Sequence, residues 1–458
     1  MAERFDLVEK ALIKMLEEKK YATLRDILTT MNPSDIAGIF EGLEDNQIPL
    51  LFRLLPKELA AETFVEMETE AQELLIRGFS DNELKEILDE LYADDAADLV
   101  EEMPANVVKR ILKQADPEMR SAINQILRYP EYSAGSIMTT EYVSLRPTMT
   151  VEEAILRIRR QGIDKETIYT CYVTEGRVLV GLVTVKDLLL CSDDETLIQD
   201  IMITNLIAVT TATDKEEAAK MLSKYHFLAL PVVDGENRMV GIVTFDDAMD
   251  VIEEEATEDM ELMSAMTPSE KTYLRSTPID LFKNRVPWLM LLMVSATFTG
   301  LIITAFEGAL AAQVALTAFI PMLMGTGGNS GSQSSVTVIR ALSLDELQLR
   351  DIWHVLWKEL QTSVLCGIAL AVVCFVKILL VDGMLMGNDD ITLMMDAVVC
   401  LALAVTVVIA KLVGCALPMA AKRLKLDPAV MASPFITTIV DALSLLVYFL
   451  FAKALLGV

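Results

Sequence analysis

The sequence predicts a multidomain chain: an all-α superhelical N-domain, an α/β tandem-repeat module, an acidic connecting helix and an α-helical membrane domain with five spans. Three observations predict it. Charge is divided along the chain: residues 1–277 hold 28 Lys and Arg against 55 Asp and Glu, a net of −27, whereas residues 278–458 hold 11 against 12, a net of −1. The second part carries apolar runs near the roughly 20 residues that cross a bilayer. The first part repeats itself at a spacing of 60 to 64 residues. A chain of 458 residues also exceeds a single core.

Residues 1–130 read as short amphipathic helices. Apolar residues recur at 3–4 spacing in DLVEKALIKML and NELKEILDEL. Turn signals such as MNPSD (31–35), LPKE (55–58) and FSDNE (79–83) separate them, so a helical-repeat superhelix is expected. The opening MAERFDLVEKALIKMLEEKK is charged and helical, and a cytoplasmic N-terminus is expected.

Residues 131–252 hold the repeat, with units at about 134–198 and 199–252. GSIMTTEYVSLRPTMTVEEAI (135–155) aligns with QDIMITNLIAVTTATDKEEAA (199–219), and VLVGLVTVKDLLL (178–190) with RMVGIVTFDDAMD (238–250). Each unit combines a helix, two β-rich runs and a final helix after V-T-x-x-D. These units resemble cystathionine-β-synthase-type (CBS) domains, which pair into flat regulatory modules. The resemblance implies an adenine nucleotide such as ATP at Thr184 and Asp187 and at Thr244 and Asp247. The alternative for these residues is a plain helix cap. Both stand on sequence alone.

DDAMDVIEEEATEDMELM (246–263) follows, with nine acidic residues in eighteen and no base between Arg238 and Lys271. Asp247, Asp250, Glu254, Glu258 and Glu261 fall at helical spacing, where like charges repel. Divalent cations bridging carboxylates through water would offset that repulsion. A solvated helix face is the other reading. The connecting helix is expected over 253–277.

Five spans are expected, about 286–306, 309–324 with a polar extension, 355–381, 391–417 and 429–455, within a membrane domain at 278–458. Arg275, Lys283 and Arg285, then Arg340, Arg350 and Lys358, then Lys422, Arg423 and Lys425 fall in alternate loops. The opposite loops, 307–308 and 382–390, carry no base, which puts the N-terminus inside and the C-terminus outside a plasma membrane. Asp441 lies mid-span, where a carboxylate costs roughly 2.5–3.5 kcal/mol on insertion scales unless it is paired or faces water. A pore ion is one use for it; an ion pair with Lys411 is the other. Thr437 and Thr438 lie a turn away. Glu307 and Asp396 are expected to be exposed at the interface. The stretch MGTGGNSGSQSS (324–335) is too polar for lipid. Pro321 is expected to break the helix before it, and Asn329 and Gln333, at i, i+4 spacing, to face the same aqueous axis as Asp441.

The whole arrangement resembles the MgtE magnesium channels. PMLMGTGGNSGSQSS matches the family's P-x-x-x-G-x-x-G-N-x-G-x-Q, and ITTIVDALSLLVYF its last span with the central Asp. The resemblance implies a homodimer in the lipid bilayer that takes up Mg²⁺, with hydrated Mg²⁺ at Asp441 and with Pro321, Gly325, Gly328, Asn329, Gln333, Thr437 and Thr438 lining the pore. It also implies closure by cytosolic Mg²⁺ between acidic groups of the N-domain, the CBS module, the connecting "plug" helix and the membrane domain. The matching residues are Asp94, Asp95 and Asp98, then Asp214, Asp247 and Asp250, then Glu255, Glu258 and Asp259, and Asp427. His226 stands where relatives can carry an acid.

Other classes fit less well. The acidic surface repels nucleic acid. The two histidines, His226 and His354, are too distant in sequence for a zinc site, and six cysteines without C-x-x-C read as reduced thiols. No phosphate loop or nucleophile–base constellation marks an enzyme. A CBS-regulated Mg²⁺ or nucleotide sensor, or a transporter of another divalent cation, is the alternative. A chloride-channel-type protein would need many more spans.

Overall fold

The computed structural model describes residues 2–269, 273, 276–385, 392–431 and 433–457. The chain divides into two compact units, Met1–Glu253 and Glu254–Val458.

In the first unit, short helices run from Ala2–Glu17 to Pro117–Ile126. Their starts follow the capping chemistry of the sequence. Ser80 and Glu83 form a capping box on Asp81–Leu88, and Asp116 accepts from the Met119 N–H ahead of Pro117. Leu24, Leu28, Ile36, Phe40, Leu51, Phe64 and Leu75 make one shared core along the stack. No single helix of 8–10 residues could bury such a face alone, which is why the unit repeats.

Two three-stranded sheets follow. Tyr142–Leu145 runs parallel to Thr167–Glu175, which pairs antiparallel with Val178–Thr184. Val209–Thr210, Ala229–Val233 and Met239–Thr244 repeat that topology. Thr184 faces Thr170 across one sheet and Thr244 faces Ala229 across the other, so the sequence repeat is a structural repeat. A layer of Tyr172, Leu179, Ala229, Val233 and Ile242 joins the units. The N–H of Thr139 donates to the carbonyl of Ile242, and the Thr139 carbonyl accepts from the Ile242 N–H. A Cβ at Gly241 would stand 2.6 Å from the Thr139 carbonyl oxygen, so only glycine fits this close approach.

The acidic helix is the last helix of the second repeat, Phe245–Met263. It ends well before 277. Pro268 disfavours helix at Thr267, and Ala265 turns left-handed at φ 53°. Residues 270–272, 274 and 275, which include Lys271 and Arg275, lie outside the described residues.

The second unit is helical. Four helices among the described residues are long and apolar enough to cross a membrane: Pro278–Ala305, Leu349–Val381, Leu393–Arg423 and Pro428–Leu456. The expected second span, 309–324, is not a single helix. It divides into Glu307–Ala312, a 3₁₀ turn Val314–Phe319 and a long helix Ile320–Ser343, here the motif helix. Pro321 does not break that helix. It sits in the first turn, where its missing N–H has no partner to lose. The loop 386–391 lies outside the described residues.

The small residues of MGTGGNSGSQSS are therefore helical, and they let neighbouring backbones approach. A Cβ at Gly414 would collide with the Gly331 carbonyl oxygen, and one at Gly327 would stand 2.7 Å from Ser444 Oγ. The Tyr448 hydroxyl donates to the Leu316 carbonyl at 2.9 Å and ties the 3₁₀ turn to the last helix.

Candidate functional sites

The motif helix offers two faces. Gly327, Gly328, Ser330, Gly331, Ser334 and Ser335 are buried, whereas Pro321, Gly325, Asn329 and Gln333 are exposed in one i, i+4 stripe. Gly328, of the expected lining set, lies on the buried face. A Cβ there would be 2.8 Å from Thr437 Cγ2, so its role is packing. The last helix, Ser433–Leu456, packs on the motif helix and brings Thr437, Thr438 and Asp441 alongside it. Thr438 donates to the Pro434 carbonyl at 3.0 Å. Asp441 is half-buried, and its Oδ1 is out of solvent with no hydrogen-bond partner.

Lys411 is not that partner. It is 6% exposed, and its Nζ donates to Ser334 Oγ at 3.3 Å. Ser334 in turn donates to Glu359 Oε2 at 2.8 Å. A lysine, a serine of the motif and a glutamate therefore link three helices. The pairing was not legible in sequence, because Glu359 lies 52 residues from Lys411 in a separate span. Asp396 is also corrected: it is 1% exposed rather than interfacial. It lies in the first turn of Leu393–Arg423, after the cap at Thr392, where the helix dipole favours a carboxylate, and Cys400 Sγ donates to it at 3.3 Å. Glu307 is exposed as expected.

The C-terminal part of the acidic helix, from Glu254, belongs to this unit. Ser343 donates to Asp259 Oδ2 at 3.3 Å, and Leu262 and Met263 pack on Ile339 and Ala429. Glu255 and Glu258 are half-exposed. Asp427 is exposed and caps the turn Pro428–Met431 through the Ala429 N–H at 2.7 Å.

In the first unit the structure gathers Asp94, Asp95 and Asp98 of helix Ala93–Glu102 within electrostatic reach of Asp247. Glu166, which sequence reasoning did not single out, joins them. It stands alone in the sequence, outside any acidic run. Burial, and then the charge of Asp247, raise the Asp94 carboxyl, whose Oδ1 has no hydrogen-bond partner. The same two causes push Asp95 up to about 7 and Glu166 up to about 8. Asp98 retains an open surface amid dense surroundings, and that crowding followed by Asp247 pushes it up to about 8. Burial pushes Asp247 up to about 6 against the hydrogen bond from Thr244. The charges that act most strongly on Asp95, Asp98 and Glu166 are other carboxylates, so a proton or a cation would relieve the repulsion. Among the described residues no three His, Cys, Asp or Glu side chains converge tightly enough to ligate a bare ion.

The other expected residues are dispersed. Asp214 caps helix Lys215–Tyr225 through the Glu216 N–H at 2.9 Å, Asp250 is exposed, and His226 ends that helix in the left-handed region at φ 56°. Thr184 with Asp187 forms a capping box on Val185–Leu190, and the Thr244 hydroxyl bonds Asp247 at the start of the acidic helix. The capping role is therefore realised at Thr184, and it leaves Asp187 one carboxylate oxygen for a further donor.

A CBS pair with an acidic helical N-domain, joined to a bundle of membrane-length helices, defines a polytopic membrane protein that carries a CBS module. The chain belongs to the MgtE family. Residues 320–451 match the family model described as a divalent cation transporter, 31–132 the MgtE intracellular N domain, and 134–193 and 198–254 the CBS domain. It is 38% identical to the magnesium transporter MgtE of Thermus thermophilus, over 97% of this chain and 98% of that one. It is 33% identical to the MgtE of Bacillus subtilis, over 98% of both. The cytosolic domain of the Mg²⁺ channel MgtE, solved in complex with ATP, superposes with a TM-score of 0.51 at 37% identity, covering 53% of this chain and 99% of that one.

Proposed function

We propose that this chain carries Mg²⁺ across the plasma membrane as a homodimeric channel that cytosolic Mg²⁺ closes. The domains would be 1–130, 131–252, 253–277 and 278–458. The observation that carries the reading is Asp441: a carboxylate within a membrane-length helix, with an oxygen that no group of its own chain satisfies. Such an oxygen is costly in lipid and is retained where water or an ion meets it. The stripe Gly325, Asn329 and Gln333 on the adjacent helix is too polar for lipid. A second copy across a two-fold axis would convert both features into a pore lined by two carboxylates. The first long helix, Pro278–Ala305, packs on its own chain through Ile302 and Ile303 and has no fully buried residue. Ion specificity follows from the ligand: a lone carboxylate per chain holds a hydrated ion through its waters, and Mg²⁺ sheds water reluctantly.

Closure uses the acidic groups. Apposed carboxylates repel, and the repulsion reaches about 8 Å at physiological salt. Bound cations remove it and favour the closed arrangement to the extent that they bind it better. An adenine nucleotide at Thr184 and Asp187 is part of the same reading, supported by the ATP complex of the relative. Mg²⁺ uptake into liposomes holding wild type or Asp441→Ala tests the pore. Uptake in the variant should fall to the leak of empty liposomes; equal uptake removes Asp441 from the path.

A further inference from the structure

A groove of about 440 Å³ lies at one edge of the first CBS sheet. It is lined by Tyr142 and Ser144 of the outer strand, by Arg157, Arg160 and Gln161 of helix Val151–Gln161, and by Lys165. Among the described residues no carboxylate lines it, in a chain whose net charge is −28. Some basic side chains of this unit have acidic partners, as in Arg53–Glu83, Arg110–Asp81 and Lys220–Glu216. Among the described residues Arg157, Arg160 and Lys165 make no ion pair. Glu153, one turn before Arg157, is held by the Thr150 N–H in a capping box. Arg157 Nε is buried and has no hydrogen-bond partner. A buried guanidinium N–H without an acceptor is a donor whose acceptor comes from outside the chain.

We infer that this groove binds a small molecule through a phosphate group held by Arg157, Arg160 and Lys165. Two guanidinium forks match the oxygens of a tetrahedral oxyanion, and a phosphate monoester brings about −1.5 to −2 charges at pH 7 to meet three cations. The carbonyls ending helix Val151–Gln161 oppose an anion with only about half a charge, so the side chains prevail. The volume falls in the range of small-molecule sites, about 300–1,000 Å³, rather than that of a lone ion. Ser144, already bonded to Thr174 at 2.9 Å, and Gln161 add polar groups for the rest of the ligand. The site is distinct from Thr184 and Asp187, which follow the third strand at the opposite edge of the same sheet.

Calorimetric titration of the full-length protein in micelles, in Mg²⁺-free buffer, tests the inference with inorganic phosphate and AMP as probes. Wild type binds at least one of them, and tighter binding of AMP assigns a nucleotide rather than free phosphate. Arg157→Gln with Arg160→Gln should weaken that binding by about tenfold or more, as expected for lost charge-assisted bonds. Arg160→Gln alone, at an exposed position that cannot unfold the domain, should weaken it less. Thr184→Val should leave binding of inorganic phosphate unchanged. Absence of binding to wild type, or equal binding by the double variant, overturns the inference. So does a double variant that alters only the oligomeric state, which would assign the groove to a protein contact.

Discussion

The cytosolic carboxylates and the membrane carboxylate present opposite problems. Around Asp247 there are too many negative charges for the space: Asp94, Asp95, Asp98 and Glu166 all sit well above the ordinary carboxylate range. At Asp441 one carboxylate stands without a partner for Oδ1. The crowd is relieved by any cation that enters it, including a proton, so it suits a sensor. The lone group leaves room for an ion with its water, so it suits a path. The difference shows why one ion can serve as cargo in one region and as signal in the other.

Removing Asp441 has the largest effect predicted, loss of uptake. Next is the packing that holds its neighbour helix. Gly414→Ala places a methyl on the Gly331 carbonyl, and such overpacking costs about 1–3 kcal/mol. It should lower the melting temperature of the membrane unit and reduce uptake. Gly325→Ala, which meets nothing within 4 Å, should leave melting unchanged. Lys411→Met comes third. It removes the donor to Ser334 and leaves Glu359 with a weaker partner set, a loss of about 1–3 kcal/mol for a charge-assisted bond. Lys411→Arg should recover most of the melting temperature. Equal loss in both would show that shape, not charge, matters there.

A fourth effect is on pH-dependent melting of the cytosolic unit. The carboxyls of Asp95, Asp98, Glu166 and Asp247 lie at about 6 to 8 when folded, above unfolded values of about 4. The folded unit therefore binds more protons than the unfolded chain in that window, and its stability falls as pH rises through it. In Mg²⁺-free buffer the cytosolic transition should move to lower temperature from pH 6 to pH 8, and Mg²⁺ should restore it at pH 8. A transition insensitive to both contradicts the crowding.

Much of this organisation was legible because its signals are local. Charge division, apolar length, the repeat and the cap at Thr184 each lie within a short window. Pro321 misled because proline both ends helices and starts them, and here the helix begins only at Ile320, after the 3₁₀ turn Val314–Phe319. Asp396 misled because depth in sequence does not say which way a first-turn side chain faces. Glu166 and the Glu359–Ser334–Lys411 link depend on contacts between distant segments, which no periodicity encodes. The exposed stripe at Gly325, Asn329 and Gln333 was legible from i, i+4 spacing, whereas Gly328 fell on the packed side of the same helix.

The division of labour between the two carboxylate sites is tested most directly by titrating cytosolic Mg²⁺ on excised patches, wild type beside Asp95→Asn with Asp247→Asn. The double variant should stay open at Mg²⁺ concentrations that close wild type, with an unchanged unitary current. Closure of both at the same Mg²⁺ concentration and with the same steepness would contradict the account.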